Sequence, residues 1–166
     1  MREDTINTRS ILEKLSRTAI TDDPPESDDG DVARDDRSST GVEHELEALL
    51  ADVTEALSVE DVAFEETLVK ENLDEILLVL IALHEETHGD ELLTDIEQLF
   101  DTQLSPGTVY PLLHDLEESD TLSMQAKVRT KEYSIADRDA VRADLEDAMV
   151  QHLAFGMLLY AFLHRY

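Results

Sequence analysis

The chain has 166 residues, in which 40 Asp and Glu stand against 13 Lys and Arg, for a formal net charge of −27 at pH 7. It contains no cysteine, which excludes a disulfide framework, thiolate zinc sites, iron–sulfur clusters and a cysteine nucleophile. Hydrophobic residues still make up 42% of it, more than a fully disordered acidic chain carries, so a core can form.

The longest apolar run, Leu153 to Leu163, is about half of the ~20 residues that a bilayer-spanning helix requires. Residues 1–20 mix acids with apolar residues and do not read as a secretory signal. A soluble, cytoplasmic protein without a membrane partner is expected. Carboxylates at this density repel one another in the compact state, and concentrated salt screens that repulsion. The acidity runs through every segment, and 9 of the 13 cations are Arg. This composition suits a salt-loaded cytoplasm, such as that of a halophilic archaeon.

In chain order, Ile11, Leu12, Leu15 and Ala19 share one helical face and predict an N-terminal helix within 1–20. Residues 21–41, TDDPPESDDGDVARDDRSSTG, hold a Pro-Pro pair, two Gly and eight acids against two Arg. That composition cannot bury enough apolar area to offset its ordering entropy, so a disordered acidic linker is expected. Val42, Leu46, Leu49, Leu50, Val53 and Leu57 then recur at helical spacing, giving an amphipathic helical extension over 42–66.

Three helix signals follow closely. Asn72 with Glu75 resembles a capping box opening an apolar helix from Leu73 to His84. Thr87 with Asp90 opens a second, carrying Leu92, Leu93, Ile96, Leu99 and Phe100. Ser105 before Pro106 is a cap and first-turn pair for a third, with Val109, Leu112, Leu113 and Leu116 inward. Leu122, Met124, Ala126 and Val128 alternate with polar residues as in a strand, and Tyr133 and Ile135 close a second short one. A long helix runs from Asp137 to the C-terminus. Three helices followed by a hairpin is the order of a winged helix-turn-helix domain.

The wording within that order is specific. His88, Gly89, Glu91 and Leu92, followed by Leu104, Ser105, Pro106, Gly107, Thr108, Tyr110, Pro111 and Leu113, resemble the core motifs of the PadR family of transcription regulators. The resemblance covers roughly residues 70–137. It implies a mainly α fold, with the winged helix-turn-helix domain over 67–137, a small β-hairpin wing and a C-terminal dimerisation helix over 138–166. It also implies sequence-specific binding of double-stranded DNA by a homodimer. A small-molecule effector is compatible with this reading, and the sequence identifies none.

On this reading Ser105, Gly107, Thr108, Tyr110, Pro111 and His114 of the recognition helix face the major groove and its flanking phosphates. Lys127, Arg129 and Lys131 sit at the wing turn, where alternate spacing puts them on one face of a hairpin strand. Residues 67–137 otherwise contain one cation, Lys70, against 16 acids. The wing therefore carries the local positive cluster that phosphate contact needs. Asp115, Glu117 and Glu118 oppose it, since carboxylate repels phosphate in dilute salt. The hairpin turn is short and lacks glycine, so a small wing is expected. In the C-terminal helix, Leu145, Met149, Leu153, Leu159 and Leu163 are the candidate dimer contacts, because so apolar a terminal helix cannot remain in water.

His84, Glu85 and His88 spell H-E-x-x-H, which on one continuous helix could bind zinc with Glu85 as general base. Gly89 follows at once and Thr87 reads as a new cap, so the two His are not expected to share a helical face. No catalytic residue, metal ligand or cofactor is assigned. The competing reading is a protein-interaction module that keeps the winged-helix fold without binding DNA, suggested by Asp115, the acidic flank and the long acidic extension.

Overall fold

In the computed structural model, residues 38–57, 59 and 62–165 are described. The helix expected within 1–20, and most of the linker expected over 21–41, lie outside them. The chain divides into two units, Met1–Ala63 and Phe64–Tyr166.

In the first unit α1 spans Ser38–Leu57. Val42, Leu46 and Ala56 are buried, while Leu49 from the apolar set is exposed. The helix opens at Ser38, inside the segment expected to be linker.

The second unit runs α2 (Glu66–Glu71), α3 (Leu73–His84), β1 (Thr87–His88), α4 (Gly89–Phe100), α5 (Pro106–Glu118), β2 (Leu122–Ala126), β3 (Lys131–Ile135) and α6 (Arg138–Leu163). Its core lies where α3, α4 and α5 meet. Leu77, Leu80 and Ile81, Leu92 and Ile96, and Val109 and Leu113 are each fully buried. Every such Leu, Ile or Val contributes about 1.5–3 kcal/mol of transfer free energy. Leu122 and Tyr133 close the core from the sheet, and Val141 closes it from α6. The rings of Phe64 and Phe100, with centroids 5.8 Å apart, pack at the far end of α4.

The sheet is antiparallel with order β1-β3-β2, its register set by Thr87↔Tyr133 and Leu122↔Ile135. The fold is a mainly helical winged helix-turn-helix, as the sequence predicts, with one strand added. Two residues are too short to show alternation, so β1 left no sequence signal.

The helix ends differ from the motif-based expectation in instructive ways. Asn72 precedes α3 but makes no side-chain cap. Its Nδ2 donates to the Leu68 carbonyl, and its Oδ1 lies 2.7 Å from His152 Nε2 on α6. Thr87 is a strand residue, and His88 is the cap of α4: its Nδ1 accepts the Glu91 N–H at 3.1 Å. Thr87 Oγ1 donates instead to Glu91 Oε2 at 2.7 Å. Pairing with β3 fixes Thr87 in an extended strand, and the next residue inherits the cap. Glu85, Asp101 and Asp120 take positive φ at helix exits, where no glycine advertises the break. Asp137 Oδ1 accepts the N–H groups of Asp139 and Ala140 and starts α6.

Candidate nucleic-acid interface

The third helix of the motif, α5, begins at Ser105, which is extended at φ −95° and ψ 154° and precedes Pro106 in the first turn. The expected side-chain cap does not form. Ser105 Oγ lies 3.2 Å from Thr108 Oγ1, while the Ser105 carbonyl accepts the Thr108 N–H at 2.9 Å and the Val109 N–H at 3.3 Å. Val109 and Leu113 point into the core, which leaves Ser105, Pro106, Gly107, Thr108, Pro111 and His114 exposed. A Cβ at Gly107 would meet only Ser105 Oγ, at 3.6 Å, so this turn presents backbone to solvent.

Tyr110 is exposed, as expected, at 36% of its surface. It turns along the surface onto α4, where its ring lies over Gly89 and its hydroxyl donates to Asp90 Oδ1 at 3.3 Å. Partial burial, then the Asp90 charge and hydrogen bond, push this phenol above its ordinary value. His114 is exposed, with Glu117 at 3.6 Å and Glu118 at 3.4 Å.

The wing differs from the simple strand picture. Pairing ends at Ala126↔Lys131, and the Lys127 N–H donates to the Thr130 carbonyl at 2.8 Å. Lys127 and Arg129 therefore belong to a tight turn rather than to one face of a strand, because the ladder stops before them. Val128 is fully exposed at the turn. Lys127 Nζ lies 3.0 Å from Glu132 Oε2, and this hydrogen bond, with the Glu132 charge, raises the ammonium above its usual value. The small wing expected from the glycine-free turn is observed.

The wing and the helices enclose an open recess of about 400 Å3, lined by His88, Asp90 and Tyr110 on one side and by residues 126–131 on the other. The structure thus gathers Lys127, Arg129, Lys131 and Tyr110 around one concavity. Ser105, Gly107, Thr108, Pro111 and His114 are not among its lining residues. His88 and Asp90 were missed as neighbours of the wing because β1, which places them there, was not legible.

Beneath this surface, His84 Nε2 lies 2.7 Å from Asp95 Oδ2, with both side chains buried. Glu91 Oε1 stands 3.9 Å from His84 Nδ1. His84 ends α3 whereas His88 caps α4, with Glu85 at φ 64° between them, so the two His do not share a helical face. Among the described residues no group of three or more His, Asp or Glu is placed to hold a metal ion.

Along α6, Leu145 and Leu153 are half-buried, whereas Met149, Leu159 and Leu163 are 51%, 48% and 70% exposed. No described helix is long and apolar enough to cross a membrane.

Residues 76–142, from within α3 into α6, match the Transcriptional regulator PadR-like family. Transcriptional activator GvpE of Haloferax mediterranei is 46% identical over 54% of this chain and 46% of its own length. Transcriptional activator GvpE1 of Halobacterium salinarum is 38% identical over 58% of this chain and 50% of its own. The chain therefore spans about half the length of these curated relatives, which come from halophilic archaea. A solved PadR-like transcription factor from Bacteroides fragilis superposes with a TM-score of 0.48 at 17% identity, covering 58% of this chain and 94% of that one. The PadR-like match begins and ends inside unit Phe64–Tyr166 and includes both α5 and the wing.

Proposed function

We propose that this chain is a non-catalytic, sequence-specific DNA-binding transcription regulator that works as a homodimer in a high-salt cytoplasm. The observation that carries the reading is the pairing of an exposed first turn of α5 with a cation-bearing wing turn in one small domain. These are the elements a winged helix sets against the major groove and the flanking backbone. Ser105, Gly107, Thr108, Pro111 and His114 form the groove-facing set. The N-terminus of α5 favours a phosphate through its dipole. Lys127, Arg129 and Lys131 hold backbone phosphate.

The exposed apolar half of α6 supports the dimer, because pairing two copies removes Met149, Leu159 and Leu163 from water. Half-sites would then lie about one helical turn apart. An effector would enter the open groove of about 430 Å3 lined by Ile81, Ile135, Val141 and Leu145 between α3, β3 and α6.

The test is a mobility-shift assay in molar KCl, with a duplex enriched from a random-sequence pool by the protein itself. A discrete complex is expected. Failure to enrich any duplex favours the second reading, a protein-interaction module, which has its own support in the acids beside His114 and in the Glu132 partner of Lys127.

A further inference from the structure

Helical periodicity assigns Tyr110 to the DNA-facing side of α5, yet its side chain lies against the neighbouring helix. A Cβ built on Gly89 would stand 2.6 Å from Tyr110 Cζ and 2.7 Å from both Cε1 and Oη. A side chain at position 89 would push the end of the Tyr110 ring out of this place, so the ring as it lies rests on bare backbone. Gly89 is buried and has no positive φ, so what it supplies here is space rather than conformational freedom. The two residues open the two helices of the motif: Gly89 is the first residue of α4, and Tyr110 lies in the opening turns of α5. The hydroxyl is meanwhile engaged by Asp90.

We propose that Tyr110 is a positioning residue for DNA binding rather than a contact to DNA. Its ring, seated on Gly89, sets the separation between the opening turns of α4 and α5, and with it the depth at which Ser105 and Thr108 are presented. The ring also forms a wall of the recess facing the wing turn. The inference rests on the DNA-binding reading above. It differs from a direct-contact role in one respect: the ring is needed and the hydroxyl is not.

The test measures affinity of the wild type, Tyr110→Ala, Tyr110→Phe, Gly89→Ala and the Gly89→Ala/Tyr110→Ala double variant for the enriched duplex in molar KCl. Tyr110→Ala and Gly89→Ala should each weaken binding by about tenfold or more, the first by removing the spacer and the second by displacing it. Tyr110→Phe should restore affinity to within about threefold of wild type. The double variant should be no weaker than Tyr110→Ala alone, because the added methyl has no ring to displace. A Tyr110→Phe variant as weak as Tyr110→Ala would overturn the proposal, because the hydroxyl and not the ring would then carry the role. Additive losses in the double variant would overturn it too. If the wild type enriches no duplex, the DNA-binding reading fails and the positioning role with it. Non-additive thermal midpoints of the same variants would then show separately that the seat exists.

Discussion

Asp95→Ala should destabilise the second unit by about 3–5 kcal/mol, the cost of removing one partner from a buried ion pair. The size follows from the geometry. Asp95 Oδ2 is 2.7 Å from His84 Nε2, and the two side chains are 3% and 0% exposed. Burial opposes the charged imidazole, but the Asp95 hydrogen bond and the charges of Asp95 and Glu91 outweigh it, and His84 titrates above its ordinary 6.5. A pKa raised by folding stabilises the protein fully below the unfolded value of about 6.5, and this contribution is lost as pH rises through the folded value.

Wild-type protein should therefore lose stability as pH climbs above 6.5, and Asp95→Ala should show a flatter profile. Asp95→Asn keeps an acceptor but not the charge, so its cost should be smaller, about 1.5–3 kcal/mol. For a unit of this size each kcal/mol shifts Tm by roughly 4–8 °C, so Asp95→Ala should melt at least about 12 °C lower. Molar KCl will not hide the effect, because a buried pair is poorly screened. The assay is thermal unfolding by circular dichroism in molar KCl at about pH 6 and about pH 9. A variant melting within a few degrees of wild type, or matching its pH profile, would refute the reasoning.

Leu159→Asp puts a charge on the exposed apolar half of α6 and should turn a dimer into a monomer at micromolar concentration, costing several kcal/mol of interface; light scattering of wild type near 18.7 kDa would end the dimer reading. The Arg129→Ala/Lys131→Ala variant should bind the enriched duplex about tenfold more weakly with unchanged thermal unfolding, and unchanged affinity would remove the wing from the interface. Helical circular dichroism should fall in low-salt buffer and return in molar KCl. The crowding is visible at Asp74, whose carboxyl is raised by partial burial and then by the charges of Glu75 and Asp115. A spectrum indifferent to salt would count against a fold adapted to it.

The three central helices were legible because each carries both a start signal and an apolar stripe. The predicted bounds of α3, from Leu73 to His84, are those observed, and Ser105–Pro106 correctly marks the start of α5. What was illegible was decided between elements. The strand β1 exists because β3 comes alongside Thr87 and His88, a pairing distant in sequence. That pairing moves the α4 cap from Thr87 to His88. Likewise Asn72, a sound local cap, is drawn away by Leu68 and by His152, eighty positions on.

The candidate site shows the same boundary at the scale of side chains. Periodicity fixes where a Cβ points, and that sufficed for Val109 and Leu113 inward and for Thr108, Pro111 and His114 outward. It cannot fix where a long side chain ends. The exposed Tyr110 side chain bends along the surface onto α4 because Gly89 offers room and Asp90 an acceptor, neither of them near it in sequence. In the wing, alternation treats residues 127–131 as one strand, but the ladder stops at Ala126↔Lys131 and puts Lys127 and Arg129 in the turn. There the Lys127 ammonium is already held by Glu132. The wing is thus less positive than its composition implies, and long-range attraction contributes little in molar salt. Any backbone contact it makes must therefore depend on close fit, and the spacing proposed for Tyr110 and Gly89 bears on that fit as the wing cations do.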